Sequence, residues 1–248
     1  MRFKNILGKG EKASIEKIQS DFVSLASHQL RTPLSAVKWY TEMLIAQKAG
    51  KLNRQQIQYL NEIYRSNDRA INLVNDLLDV SRIQEGSINL ELQPTRVENV
   101  IEDVINGLDT LVKASQTGID FEIVNGPLPE VETDRDKLRR ILFNLISNAV
   151  KYTQNAKKVR VVLEKIGSSV KVSITDSGIG IPKTDHDKVF KKFFRSANVL
   201  KVTPDGTGLG LFISKALIEA MGGKIGFSSA PGKGTVFYFT IPLKNAKK

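Results

Sequence analysis

Apolar residues at Ile15, Ile18, Phe22 and Leu25 fall three and four apart, the spacing that sets side chains along one seam of a helix. After Pro33 the spacing resumes at Leu34, Val37, Thr41 and Leu44, and the GKLN run at 50–53 reads as a stop followed by a new N-cap. A second seam then runs through Ile57, Leu60, Tyr64, Asn67, Ile71, Val74 and Leu78. The pattern predicts a long antiparallel helical hairpin over residues 1–85. Two helices with one seam each cannot enclose a core alone, so pairing two hairpins into a dimeric four-helix bundle is the simplest burial, and a homodimer is expected.

From Gly86 onward the pattern changes. Residues 87–92 alternate as a strand does, Pro94 punctuates, 96–113 reads as a helix and 118–124 as a strand. Residues 134–152 form a helix with Leu138, Ile141, Leu142, Leu145, Ile146 and Ala149 on its buried side, and 158–166 and 169–175 make a hairpin through Gly167-Ser168. Residues 176–208 are polar, Lys-rich and punctuated by glycine, a stretch whose length suits a lid or binding loop. A helix at 209–221, stopped by Gly222-Gly223, and strands at 224–228 and 234–242 complete an α+β sandwich over residues 86–248.

Composition narrows the class. The chain of 248 residues is 41 % hydrophobic and 25 % charged, which fits folded domains and not a disordered chain. With no cysteine, disulfides, thiolate metal sites and cysteine nucleophiles are excluded, and with only His28 and His186 a multi-histidine metal site is not expected. No run approaches the roughly 18 apolar residues of a membrane span, and MRFKNILGKGEK lacks the apolar core of a signal peptide. The net charge of +11 suggests an anionic partner. It does not come with the aromatic-interleaved basic patch of a nucleic-acid binder, so no nucleic acid is expected.

Three clusters carry candidate chemistry. His28 stands beside the first seam, where it should reach solvent, with Thr32 one turn on and Pro33 removing a backbone hydrogen bond so that the helix bends. Asp176-Ser177-Gly178-Ile179-Gly180-Ile181 follows a strand, and Gly206-Thr207-Gly208-Leu209-Gly210-Leu211 opens a helix, whose free N–H groups suit a phosphate. Asn144, Asn148 and Lys151 share one helical face, and an amide oxygen suits Mg²⁺. Taken singly, each has a plainer reading as a surface histidine, an ordinary turn or a capping asparagine.

Together, SHQLRTP around His28, NLISNAVKY around Asn148, DSGIGI from Asp176, FKKFFR from Phe190 to Arg195, GTGLGL from Gly206 and the following PGKGTVFYF resemble the catalytic core of a sensor histidine kinase. The resemblance covers nearly the whole chain. It implies a dimerisation and phosphoacceptor domain at 1–85, a Bergerat-type ATP-binding domain at 86–248, and ATP and Mg²⁺ as cofactors. His28 is then the nucleophile, Asp176 accepts the adenine amino group, Asn148 holds Mg²⁺, and Asn144 lies close to the phosphates. Lys151 and Tyr152 face phosphate and nucleoside, Gly178, Gly180 and Ile181 complete the adenine turn, and Arg195 stabilises charge on the phosphoryl group. Gly206, Thr207, Gly208, Leu209, Gly210 and Leu211 let the lid fold over the triphosphate, and Phe193 and Phe194 anchor it.

The implied partner is a response-regulator receiver domain whose aspartate takes the phosphoryl group. The implied localisation is cytoplasmic, with no membrane contact by this segment, although a longer parent could be membrane-anchored. One departure is Gln29, where relatives often carry an acidic residue. A carboxylate there would accept the second ring N–H and raise the basicity of the attacking nitrogen, so Gln29→Glu should speed single-turnover labelling. Thr32 resembles the residue that positions water for response-regulator dephosphorylation. The alternative reading is a nucleotide-binding dimeric scaffold, or a phosphatase-dominant relative with weak autokinase activity because of Gln29. A gyrase- or chaperone-like ATPase shares the ATP site but does not account for the hairpin that bears His28.

Overall fold

The computed structural model describes residues 9–153, 157–202 and 206–243, with the backbone alone for 9–24, 28 and 200–202. The chain falls into two compact units, divided between Ser87 and Ile88. No described helix is long and apolar enough to cross a membrane.

The first unit is the hairpin of α1 (Lys9–Ile45) and α2 (Arg54–Gln84). Asn53 caps α2: its side chain accepts from Gln56 N–H at 2.9 Å while Gln56 Oε1 accepts from Asn53 N–H at 2.8 Å, so two otherwise unmet donors are satisfied at once. The helices run antiparallel, with Lys38 paired to Asp68 at 2.7 Å, Arg31 donating to Asn75 at 3.0 Å and Asn67 donating to the Leu34 carbonyl at 2.8 Å. Asn67, Val74 and Leu78 of the second seam are buried between them, as is Thr41 of the first. Val37 and Leu44 of the same seam remain 43 % and 37 % exposed, because one hairpin has no third layer to cover them. α1 continues through Pro33 without interruption. The side chains of Ile15, Ile18, Phe22 and His28 lie outside the described residues.

The second unit is built on a five-stranded sheet in the order β2-β4-β5-β7-β6. Its strands are β2 (Gly118–Val124), β4 (Lys158–Ile166), β5 (Ser169–Asp176), β6 (Lys224–Ser229) and β7 (Thr235–Pro242), with only the β2–β4 pair parallel. Alternation decides its faces. Val159, Val161, Leu163, Val172, Ile174, Phe239 and Ile241 point to a fully buried side, whereas Arg160, Lys171 and Tyr238 point away from it. The buried side is covered by α5 (Arg135–Tyr152) and α7 (Gly210–Ala220), with α3 (Val97–Gly107) packed against α5. α5 lies centrally, and all six of its expected core residues are buried.

Several expectations change. Residues 87–92 form no strand; the strand is β1 (Gln93–Thr95), paired with β3 (Val131–Thr133), which periodicity did not reveal. Alternation predicts an extended chain, and whether it pairs depends on a partner distant in sequence. The single helix expected at 96–113 is two, α3 and α4 (Asp109–Ser115), divided where Gly107, a poor helix former, precedes the buried Leu108. The long polar stretch carries a 3-10 turn at Lys183–Lys188 and a short helix α6 (Ala197–Val202).

Candidate functional site

Asp176 closes β5 and is 7 % exposed. Its Oδ1 accepts from Gly178 N–H at 2.8 Å and from Thr235 N–H at 3.2 Å, while Oδ2 has no partner among the described residues. Burial pushes the carboxyl above the ordinary aspartate range, against the pull of the two backbone donors. Gly178 is required by close approach: a Cβ there would lie 2.2 Å from the Tyr152 carbonyl oxygen, where Thr153 and Gly178 bridge the end of α5 to this turn. Gly180 packs against the Ala230 carbonyl, and Ile181 N–H donates to Ser229 Oγ at 2.8 Å, so β6 braces the turn from behind. Together these contacts make a rigid cradle with one carboxylate oxygen left to accept an amino group.

One turn before the end of α5, Asn148 Nδ2 donates to Asn144 Oδ1 at 3.2 Å, and Asn144 Nδ2 donates to Ser214 Oγ of α7 at 2.8 Å. Asn144 is therefore engaged at both ends of its amide between two helices, and Gly210 closes on its Oδ1. Asn148 keeps its own Oδ1 without a partner among the described residues. That oxygen fits Mg²⁺, which takes one or two protein oxygens and keeps several waters. No cluster of three His, Asp or Glu able to hold a metal occurs among the described residues. Lys151, at the helix end, keeps an exposed surface, yet protein around its ammonium lowers its pKa. Burial raises the Tyr152 phenol, and the nearby Arg195 charge opposes that rise.

Arg195 sits over Gly206, donating to its carbonyl at 3.3 Å. Gly208 has φ of +68° and lies so close to the Phe193 backbone that a Cβ would fall 2.7 Å from its carbonyl carbon. Phe193 is itself left-handed, at φ of 60°, and 60 % exposed, so the lid turns sharply there. Thr207 Oγ1 accepts from Leu209 N–H at 3.2 Å, and Leu209 is fully buried beneath the start of α7, while Leu211 is half-buried. Cations stand over aromatic rings of the lid and of α7: Lys188 over Phe194 at 6.0 Å, Lys192 over Phe212 of α7 at 5.1 Å and Lys215 of α7 over Phe190 at 5.6 Å.

The second unit thus brings Asp176, Gly178, Gly180 and Ile181 into one turn, Asn144, Asn148, Lys151 and Tyr152 onto one helix, and Arg195 with Gly206–Leu211 into one lid. Gln29 and Thr32, on α1, are exposed. Thr235, Ser214, Ser229, Asp185 and Ser196 were not singled out from the sequence. Thr235, Ser214 and Ser229 act through partners 48 to 70 residues away, and Asp185 and Ser196 pair 11 residues apart in a stretch without periodicity; only Thr235 lies within a recognised motif, PGKGTVFYF.

Residues 18–86 match the His Kinase A (phospho-acceptor) domain, and residues 133–245 match the histidine kinase-, DNA gyrase B- and HSP90-like ATPase family. The non-motile and phage-resistance protein of Caulobacter vibrioides is 36 % identical over 96 % of this chain and 29 % of its own length. Full-length ShkA, solved in complex with AMPPNP, aligns at a TM-score of 0.75 and 30 % identity over 92 % of this chain and 47 % of that one. The catalytic domain of histidine kinase ThkA aligns at a TM-score of 0.55 and 32 % identity over 62 % of this chain and 97 % of that one. ThkA in complex with the response regulator protein TrrA shares the fold at a TM-score of 0.63, with 24 % identity over 100 % of this chain and 70 % of that one. The chain belongs to the sensor histidine kinases. It spans less than a third of the length of the curated relatives it matches.

Proposed function

We propose that this chain is an ATP-dependent protein-histidine autokinase of a two-component system, in which His28 takes the γ-phosphoryl group of ATP and passes it to an aspartate of a response-regulator receiver domain. The observation that carries this reading is Asp176, a buried carboxylate with one oxygen fixed by Gly178 and Thr235 and the other presented to a ligand. An adenine amino group is the donor that such an oxygen selects. The phosphoacceptor-domain match around His28 supports the transfer step, and the ThkA–TrrA complex supports the class of partner.

In this reading the neutral His28 imidazole presents a ring lone pair to the γ-phosphorus. The N–P bond forms as the bond from phosphorus to the β,γ-bridging oxygen breaks, and ADP leaves with that electron pair. Arg195 stabilises the charge spread over the phosphoryl oxygens, because a planar guanidinium reaches several oxygens at once. Asn148 Oδ1 would hold Mg²⁺, which would supply positive charge to offset that of the triphosphate. Asn144 acts through Asn148, whose amide it orients, rather than on phosphate directly. Lys151 adds positive charge beside the triphosphate, and Tyr152 packs on the nucleoside. In the second step the receiver carboxylate displaces His28 from phosphorus, returning a neutral imidazole. Thr32 serves the opposing reaction, positioning water to remove phosphate from the receiver.

A second copy of the hairpin covers the apolar residues that one hairpin leaves exposed. Leu30, Val37 and Leu44 recur every seven residues on α1 at 51, 43 and 37 % exposure, facing outward with Ile63 and Leu73 of α2. Sedimentation should find a dimer, and Val37→Glu with Leu44→Glu should give a monomer. The need for ATP fits a reaction in the cytoplasm.

The experiment that tests the reading is incubation with γ-labelled ATP and Mg²⁺, comparing wild type with His28→Ala. Label that survives alkali, is lost in acid and disappears in His28→Ala is expected, with transfer to an added receiver domain. Nucleotide binding without any label would leave a dimeric scaffold in its place.

A further inference from the structure

The 3-10 turn Lys183–Lys188 lies between the glycine turn that follows Asp176 and the lid that carries Arg195, and two of its side chains tie those segments together. His186 donates from Nε2 to the Ile181 carbonyl at 3.2 Å, and its ring meets Phe227 of β6 edge-on at 5.0 Å. Phe227 also contacts Phe190 and Phe237, so the turn is fixed to the sheet and to the first residue of the FKKFFR segment. The neighbouring Asp185 reaches the other way: its Oδ2 accepts the Ser196 hydroxyl at 2.6 Å.

Ser196 is only 7 % exposed, so its hydroxyl depends on this acceptor. It is joined by a single peptide bond to Arg195, and its carbonyl accepts from Val199 N–H at 3.0 Å to start α6. The chain on the C-terminal side of Arg195 is therefore tethered through the Asp185–Ser196 bond. The guanidinium itself rests on Gly206, within electrostatic reach of Tyr152.

We propose that Asp185 is the positioning residue for Arg195: by holding Ser196 Oγ it fixes the backbone from which the guanidinium reaches the phosphoryl group. This rests on the assignment of Arg195 above. A group that acts by orienting another should lower the rate of the chemical step and leave nucleotide affinity nearly unchanged, since the bond is made to the lid and not to the ligand.

The test is single-turnover labelling of His28 at saturating ATP in the full chain, with ATP affinity measured by calorimetry. Asp185→Ala and Ser196→Ala should each slow labelling by roughly ten- to a hundredfold, the range that a misplaced catalytic group produces. ATP affinity should stay within about twofold, as for an interaction made only in the transition state. The double variant should be no slower than either single one. Asp185→Asn, which keeps an acceptor oxygen, and Ser196→Thr, which keeps the hydroxyl, should retain most of the rate. In an Arg195→Ala background, Asp185→Ala should add nothing. A further loss of the same factor in that background, or a loss of ATP affinity equal to the loss of rate, would assign Asp185 to general support of the lid and overturn the proposal. Wild-type labelling with an equally fast Asp185→Ala overturns this inference alone. Wild type that binds ATP yet never labels overturns the kinase reading and takes this one with it.

Discussion

Asp134 and Asp176 are two buried carboxylates, 4 % and 7 % exposed, that flank the central helix of one domain and do opposite things. Asp134 is the N-cap of α5. Its Oδ1 accepts from Lys137 N–H at 3.0 Å, its Oδ2 from Glu91 N–H at 3.0 Å, and the Lys137 ammonium stands 3.6 Å away. Asp176 takes both of its backbone donors on one oxygen. Burial raises both carboxyls, but at Asp134 the donors and Lys137 prevail and hold it below the ordinary range, whereas at Asp176 burial prevails. A buried carboxylate with both oxygens satisfied belongs to the fold. One with an oxygen left over is kept at a cost that only a ligand offsets.

The sharpest way to break this contrast is Asp176→Asn. The amide keeps an oxygen for Gly178 and Thr235 but turns an NH₂ toward the adenine amine, donor against donor. Loss of a hydrogen bond to a charged group is worth about 1.5–3 kcal/mol, so ATP should bind roughly ten- to a hundredfold more weakly by calorimetry. The melting temperature should not fall, because the variant removes a buried charge. An unfolded variant, or one that binds ATP as wild type does, would erase the distinction.

Asp134→Ala should show the converse. Removing an N-cap costs about 0.5–2 kcal/mol of stability, and here the Glu91 N–H is orphaned as well. Urea unfolding should place the loss near the upper end of that range, with ATP affinity unchanged. A variant that loses ATP binding without losing stability would show that the two carboxylates are not separable.

How much of this contrast can be read in the sequence depends on how local each contact is. The helix at 134–152 is legible because Leu138, Ile141, Leu142 and Leu145 repeat at short spacings, and the hairpin seams are equally local; that Asp134 caps this helix, with Glu91 on its other oxygen, appears only in the structure. Asp176 shows in DSGIGI, and the resemblance assigns it to adenine. That Thr235 shares its oxygen does not show, since the two residues are 59 apart and meet only when β5 pairs with β7. The same holds for Asn144, whose amide is engaged by Ser214 of a helix 70 residues away, and for the β1–β3 pair, which links residues about 40 apart. The lid is the least legible region. Its polar, glycine-punctuated residues have no period, so the Asp185–Ser196 bond and α6 arise from tertiary contacts that spacing does not encode.

The smallest effect tests the opposite directions of the two carboxyls. For Asp134, whose carboxyl is held below the ordinary aspartate value of 3.8, the stability it contributes is complete above that value and is lost as pH falls through its lowered folded value. For Asp176, raised above 3.8, the fold favours the protonated form, so its contribution is present below 3.8 and is lost as pH rises through the raised value. The differences of Asp134→Ala and Asp176→Asn from wild type in unfolding free energy should therefore respond to acidification in different pH ranges. From neutral pH down to just above 3.8, the deficit of Asp134→Ala should stay constant, while any advantage of Asp176→Asn over wild type should shrink as the wild-type carboxyl takes up its proton. The second difference should therefore change between neutral pH and 3.8, and the first should move only in stronger acid. Parallel changes in both differences would mean that the two sites share one electrostatic environment, and that the unshared oxygen of Asp176 does not set it apart.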